Sequence, residues 1–357
     1  RNARPQGRGD RRRVFDAIGK ISDADGRLNR AEGRGLKKLF SYPHLPLLIT
    51  LLMLVALFST ASILYDGFFS GRVVTNLIGD NASLGIAAVG MTLVILSGGI
   101  DLSVGSVLSF TTIFVAVLIQ RHQFPPLLAI TLALGTGALM GFGMGFLIDR
   151  FELPPFLVTL GGMFFARGLG FMISPESVGI DHPFYGRLSD FAIPLGGKAA
   201  LSATALTYIV VLGFGILVTH QTPFGRNVFA LGGSESSARL MGVPIGRTKL
   251  AIYALSGFCA ALAGVISTVY TGSGNPTLGV GFELDVIAAV VVGGTLLTGG
   301  VGSQIGTLAG VFIFGTIQTA LVFDGRLNSW WLRIAIGGLL LVFILLQRLL
   351  SKLNKAN

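Results

Sequence analysis

A chain of 357 residues that is 52% hydrophobic and 12% charged, with a mean hydropathy of +0.74, is excluded from the ordinary soluble domains, which carry about twice that charged fraction. The net charge of +10 is concentrated early: residues 1–44 hold 12 basic and 5 acidic side chains. One cysteine, Cys259, inside an apolar run, excludes an intrachain disulfide and a cysteine metal cluster.

Residues 1–44 read as a basic cytoplasmic tail that sets topology and attracts anionic lipid, rather than as a nucleic-acid arm. Uncharged windows then fall at 39–65, 81–100, 102–120, 122–148, 199–225, 250–282 and 286–323, each near or above the ~20 residues that cross a bilayer. Two further spans, about 154–174 and 330–347, are interrupted only by Arg167 and Arg333. The window 286–323 is long enough for two spans joined by a tight turn near Thr298–Ser303. The expectation is an all-α polytopic membrane protein of about ten transmembrane helices. Its membrane domain covers 45–348, with a cytoplasmic loop at 220–249 and a cytoplasmic C-terminal tail at 349–357. Leu45–Tyr65 is too long and too deep for a cleaved signal peptide and reads as a retained span. With the N-terminus inside, 20 of the 27 basic residues fall on inner segments and six on outer ones, so both termini are expected in the cytoplasm.

Glycine is abundant within these windows. Gly137, Gly141 and Gly145 recur at four-residue spacing, which lets helix backbones approach closely in lipid. Ile86-Ala-Ala-Val89 recurs as Ile287-Ala-Ala-Val290, and Val104-Gly-Ser106 as Val301-Gly-Ser303. This is either an internal repeat of the kind that builds transporters or a coincidence among residues common in spans. Each copy lies beside a Gly-Gly. Those pairs mark either broken or re-entrant helices lining a cavity, or two plain turns.

No catalytic constellation is visible. Gly19-Lys20 and Gly197-Lys198 lack the upstream glycine and following hydroxyl of a nucleotide-binding loop. His44, His122, His182 and His220 stand near span ends without metal-ligand spacing, so no metal or cofactor is expected. Intramembrane charge is the better signal. Asp101, in Leu96-Ser-Gly-Gly-Ile-Asp-Leu-Ser-Val-Gly-Ser106, marks a pathway, a partner or a tight helix turn, and Arg167 must pair with carbonyls or a carboxylate, face water or meet substrate. In the loop 220–249, Ser234 followed by Glu235 suits a helix start and Gly242 a helix stop, which predicts a short helix of about two turns.

Three ordered blocks carry a resemblance: Leu96–Ser106, Glu283-Leu-Asp-Val-Ile through Thr298-Gly-Gly-Val-Gly-Ser303, and Thr222-Pro-Phe-Gly-Arg-Asn on to Leu240-Met-Gly-Val243. From about Leu45 to Gln347 the chain resembles the permease subunits of ribose-type bacterial sugar ABC importers. Asn81–Leu96 and Phe323–Trp331 are most similar to the galactofuranose-type subgroup. The resemblance implies an ABC importer permease fold in the bacterial inner membrane. It also implies no catalysis by this chain, a separate ABC ATPase subunit, a periplasmic sugar-binding protein and a second permease chain, a heterodimer in that subgroup with a homodimer left open. It implies that loop 220–249 forms a coupling helix docking on the ATPase, with Phe224, Gly225, Gly232, Gly233, Ser234, Glu235, Arg239 and Gly242 as its residues. A sugar pathway needs hydroxyl-matching groups and flat apolar faces; Asp101, Phe164, Phe165, Arg167, Asn275, Glu283, Asp285, Asn328 and Trp330 are the candidates. Against them stand lipid-facing packing for the phenylalanines and interfacial anchoring for Trp330-Trp331. The rival reading is an ion-coupled secondary sugar carrier, which needs titratable intramembrane groups that Asp101, Arg167 and Asp285 barely provide.

Overall fold

In lipid every backbone N–H and C=O must find an internal partner, and helices supply it within one segment. The computed structural model describes residues 45–325 and 330–355, so the tail 1–44 and Asn328 lie outside the described residues. The helices are α1 (Leu45–Leu64), α2 (Gly71–Asp80), α3 (Ala82–Leu96), α4 (Val104–Gln120), α5 (Pro126–Arg150), α6 (Pro155–Ile173), α7 (Pro183–Ser189), α8 (Ala203–Gln221), α9 (Pro223–Gly233), α10 (Glu235–Leu240), α11 (Ile245–Thr271), α12 (Phe282–Val292), α13 (Gln304–Asp324) and α14 (Trp330–Lys355). Short strands join them. β1 (Val178–Gly179) pairs antiparallel with β4 (Ser273–Gly274), and β2 (Ala192–Gly196) forms a hairpin with β3 (Ala199–Ser202).

Each window read as a span holds a helix, but the lengths differ from a plain count of ten. Among the described residues six helices are long and apolar enough to cross a membrane, or seven if α2 and α3, bent by 57°, form one span. The 11-residue α12 rises only ~16 Å at ~1.5 Å per residue, about half a bilayer core. It stops because Gly293-Gly294 interrupts it, so the window 286–323 does not hold two full spans. The window 250–282 is also not one helix. α11 ends at Thr271, where Gly272 adopts φ +64, and Pro276 with the positive-φ glycines Gly279 and Gly281 keeps 272–281 out of helical geometry. The segment returns as non-helical chain along α4, from beside Ala116 to Gly105, where α12 begins.

α11 is the axis of the bundle and packs along α5, α3 and α4. The spaced glycines of α5 make the closest of these contacts. A Cβ at Gly141 would overlap the Tyr253 carbonyl oxygen, and one at Gly137 would lie 2.7 Å from the Gly257 carbonyl oxygen. Cys259 is buried on the same helix against Gly90. The main core joins Ile86, Met91 and Leu96 of α3 to Val107, Ile252, Val290, Val311 and Ile313, all nearly inaccessible.

Candidate functional site

The two Gly-Gly pairs noted in the sequence end up side by side. After α3 the chain breaks at residues 97–103, and after α12 at 293–303. The Gly300 N–H donates to the Leu96 carbonyl at 2.9 Å, and a Cβ at Gly299 would lie 2.8 Å from the Gly98 nitrogen. A third pair, Gly232-Gly233 at the end of α9, closes the junction. A Cβ at Gly232 would overlap the Leu96 carbonyl oxygen and stand 2.6 Å from the Gly300 nitrogen. Three segments far apart in sequence thus touch backbone to backbone, which only glycine permits. Gln304, fully buried at the start of α13, adds a polar tie by donating to the Val89 carbonyl and to Thr219 at 3.2 and 3.1 Å.

Asp101 occupies the first break with no exposed surface. Its Oδ1 accepts from the Ser103 N–H at 2.9 Å and from the Ser103 hydroxyl at 2.6 Å, while Oδ2 accepts from Ser256 of α11 at 2.7 Å. The carboxylate therefore satisfies orphan donors at the start of α4 and pins the break to the central helix.

Arg167 sits on α6 and spends its Nη1 on two backbone carbonyls, Pro276 at 2.9 Å and Leu278 at 2.7 Å. Ser109 donates to the Pro276 carbonyl at 2.6 Å, and the Asn275 N–H donates to Thr112 at 3.1 Å. These bonds satisfy the non-helical chain that would otherwise be orphaned in the membrane. Asn275 turns its Oδ1 onto the Thr277 N–H and hydroxyl at 2.8 and 2.7 Å. Glu283 opens α12 within electrostatic reach of Arg167, and its Oε2, against Gly105, is buried with no partner among the described residues. Asp285 lies one residue on from the exposed Leu284, within reach of Arg333, whose guanidinium stacks 5.0 Å over the exposed Trp330 ring.

So the structure gathers Arg167, Asn275, Glu283 and Asp285 around the broken entry to α12 and keeps Asp101 apart in its own network. Phe164 and Phe165 are exposed on α6, and Phe165 faces an apolar groove with Met140, Met144 and Leu157.

The loop after α8 is more ordered than a turn and one short helix. Thr222 caps α9 by accepting from the Gly225 N–H at 3.2 Å, with Pro223 at the first helical position. Gly225 is buried where a Cβ would overlap the Thr219 carbonyl oxygen, and Phe224 packs on the core. Ser234 caps α10 by accepting from the Ser237 N–H at 3.3 Å. α10 is six residues, close to the two turns expected. It ends in a Schellman motif: Gly242 at φ +79, the Gly242 N–H on the Arg239 carbonyl and the Val243 N–H on the Ala238 carbonyl, both 3.1 Å.

Glu235 clasps the helix to the base of α11, with Lys249 at 2.8 Å and Arg239 at 3.3 Å. Partial burial alone would raise the Glu235 carboxyl, but the bonds and charges of Lys249 and then Arg239 outweigh it and hold it below the ordinary glutamate value. Leu240 and Met241, 90% and 70% exposed, crown the loop. The sequence reading missed this pair, although two apolar residues just before a stop glycine on a polar helix were its signal.

Residues 73–345 match the family described as the branched-chain amino acid transport system / permease component. The chain belongs to this permease family. It is 51% identical to the inner membrane ABC transporter permease protein YjfF of Escherichia coli K12 over 310 residues, 87% of this chain and 94% of the relative. It is 37% identical to the fructose import permease FruG of Bifidobacterium longum, covering 85% and 91% of the two chains. The ribose import permease RbsC of Escherichia coli K12 is 36% identical over 68% and 74%. No solved structure matches the chain. As a permease component the protein is a polytopic membrane subunit and not an enzyme. Its distinctive parts are accordingly structural: two helix breaks, the loop that touches both, and a carbonyl-bound arginine at the entry to α12.

Proposed function

We propose that this permease is the membrane half of an ATP-driven, binding-protein-dependent monosaccharide importer of the bacterial inner membrane. The observation that carries the reading is the α9–α10 loop: doubly capped, crowned by exposed Leu240 and Met241, and joined through Gly232 to the ends of both broken helices. An apolar knob on an ordered surface loop is a docking element, and α10 is the piece that the ATPase would grip. The loop then lies in the cytoplasm with both termini, as the distribution of basic residues indicates.

Ribose and fructose, named for two relatives, support a sugar cargo, and the likeness of Asn81–Leu96 and Phe323–Trp331 to the galactofuranose-type subgroup is the ground for assigning galactofuranose or a related monosaccharide. A periplasmic binding protein would deliver it to the outer face formed by β1–β4, α7 and the β2–β3 hairpin. From there the sugar passes Arg167, Asn275, Glu283, Asp285 and Trp330 at the broken entry to α12. A second permease chain, in a heterodimer, completes the channel.

The test is uptake into vesicles holding the assembled complex. Galactofuranose uptake that needs both ATP and the binding protein is expected. Uptake by this chain alone, driven by an ion gradient, would replace the reading with a secondary carrier. Arg239→Glu sets like charges beside Glu235 and should uncouple hydrolysis from uptake while the chain stays in the membrane; uptake at the wild-type rate would remove α10 from the coupling path.

A further inference from the structure

A polar cavity of about 440 Å³ opens beside α10, within the ~300–1,000 Å³ range of small-molecule sites. Its walls are the Gly98-Gly99 turn, the α5–α6 connection with Glu152, and the Glu235–Arg239–Lys249 clasp. Tyr253 forms its floor. That residue is 2% exposed, and its hydroxyl has no hydrogen-bond partner among the described residues. A Cβ at position 99 would overlap this hydroxyl, so the turn packs directly on the buried phenol and only glycine fits there.

The lining decides the ligand's chemistry. Both cations are already engaged by Glu235, and Glu152 makes no ion pair among the described residues, so the two carboxylates balance the two cations and an anion finds no unengaged positive charge. A buried phenol needs a partner oxygen, and a small organic cation such as choline offers a single hydroxyl to serve the phenol and two carboxylates together. Hydroxyl groups donate to Glu152 and Glu235 and accept from Tyr253, and Leu231 with Pro154-Pro155 offers an apolar wall to the C–H face of a ring.

We infer that this cavity is a cytoplasm-facing binding site for a neutral polyol of monosaccharide size, separate from the transport path. Its sidedness rests on the proposed function. An occupant bridges α10, α11 and the first helix break, and so ties coupling-loop position to the sugar already inside the cell.

The experiment uses Ser97→Cys in the assembled complex, since Ser97 lines the cavity and the native Cys259 is buried. Maleimide labelling of position 97 is followed with galactose, ribose or fructose, with choline as the cation and ribose 5-phosphate as the anion. A neutral sugar at about ten times its Kd should slow labelling roughly tenfold. Tyr253→Phe should weaken that protection about fivefold to tenfold. Saturation-transfer NMR of the same sugars on complexes with and without Tyr253→Phe repeats the comparison without the new cysteine. Absence of protection and transfer by every sugar, equal protection by choline or the phosphate, or full protection in Tyr253→Phe would overturn the site. ATP-driven sugar uptake alongside an unprotected position 97 removes the site and leaves the importer standing. Protection alongside an absence of uptake for every sugar leaves the site and removes the importer.

Discussion

The two helix breaks solve one problem by opposite means. Gly98-Gly99 and Gly299-Gly300 are separated by 201 residues, the same offset that relates Ile86 to Ile287, although Val104 and Val301 stand 197 apart. At that offset Asp101 faces Gly302. The first break is fixed by a buried carboxylate with three donors on it. The second has no such acceptor. Gly302 lies against Thr295, whose hydroxyl has no partner among the described residues, and Gly293 and Gly310 meet their neighbours backbone to backbone. The first break is the anchor, held to α11 by side-chain hydrogen bonds, whereas the second is tied to the first by the Gly300 N–H on the Leu96 carbonyl and otherwise rests on close glycine packing.

The largest expected effect breaks the anchor. Asp101→Ala strands the Ser103 N–H and two hydroxyls, at about 1–3 kcal/mol each, and should lower the amount of folded protein in membranes several-fold. Asp101→Asn keeps one acceptor and should fall between; both appear on immunoblots of the membrane fraction, and wild-type levels for Asp101→Ala would reduce the anchor to an ordinary turn. Next is the junction itself. Gly232→Ala forces a methyl onto the Leu96 carbonyl, about 1–3 kcal/mol of overpacking, and should cut uptake at least about tenfold in assembled complexes. Its neighbour Gly233 has open space at Cβ, so Gly233→Ala should transport normally; equal loss in both would mean that the loop, not the contact, is sensitive.

Smaller effects sharpen the comparison. Thr295→Val removes a buried hydroxyl without a partner and should leave the melting temperature unchanged or raised, unlike any change at Asp101. The Glu235 clasp is a partly exposed pair, and Lys249→Met should cost under about 1 kcal/mol. Because the folded Glu235 pKa is lowered, the clasp's contribution is fully present above the ordinary glutamate pKa. It is lost as pH falls through the folded value, so coupling should be insensitive to pH near neutrality and weaken only in acid. Hydrolysis and uptake measured across that range check the sign.

The local chemistry was legible in the sequence and the long-range chemistry was not. Ser234, Glu235 and Gly242 act on their own helix, so cap preferences sufficed for α10. α9 is harder to see, since Pro223 and Gly225 look like breakers, yet Thr222-Pro223 is also a helix start and Gly225 is needed where the helix meets Thr219. α2 escaped because Arg72 and Asp80 kept its residues out of every uncharged window, although with Asn76 they share one exposed face of the helix. The end of α11 could be anticipated from Gly272, Gly274, Pro276 and Gly279, but charge alone had extended the span to 282. Arg167's carbonyl partners lie more than a hundred residues away, and no spacing rule reaches them.

In the proposed importer, Leu240 and Met241 are the point at which an ATPase takes hold of the two breaks. The direct test purifies the tagged chain from its native membrane, as wild type and as Leu240→Asp with Met241→Asp, and assays vanadate-sensitive ATP hydrolysis in each preparation. Hydrolysis that accompanies the wild type and is lost from the variant, at equal membrane levels, is the predicted result. Hydrolysis that accompanies both equally would contradict the account.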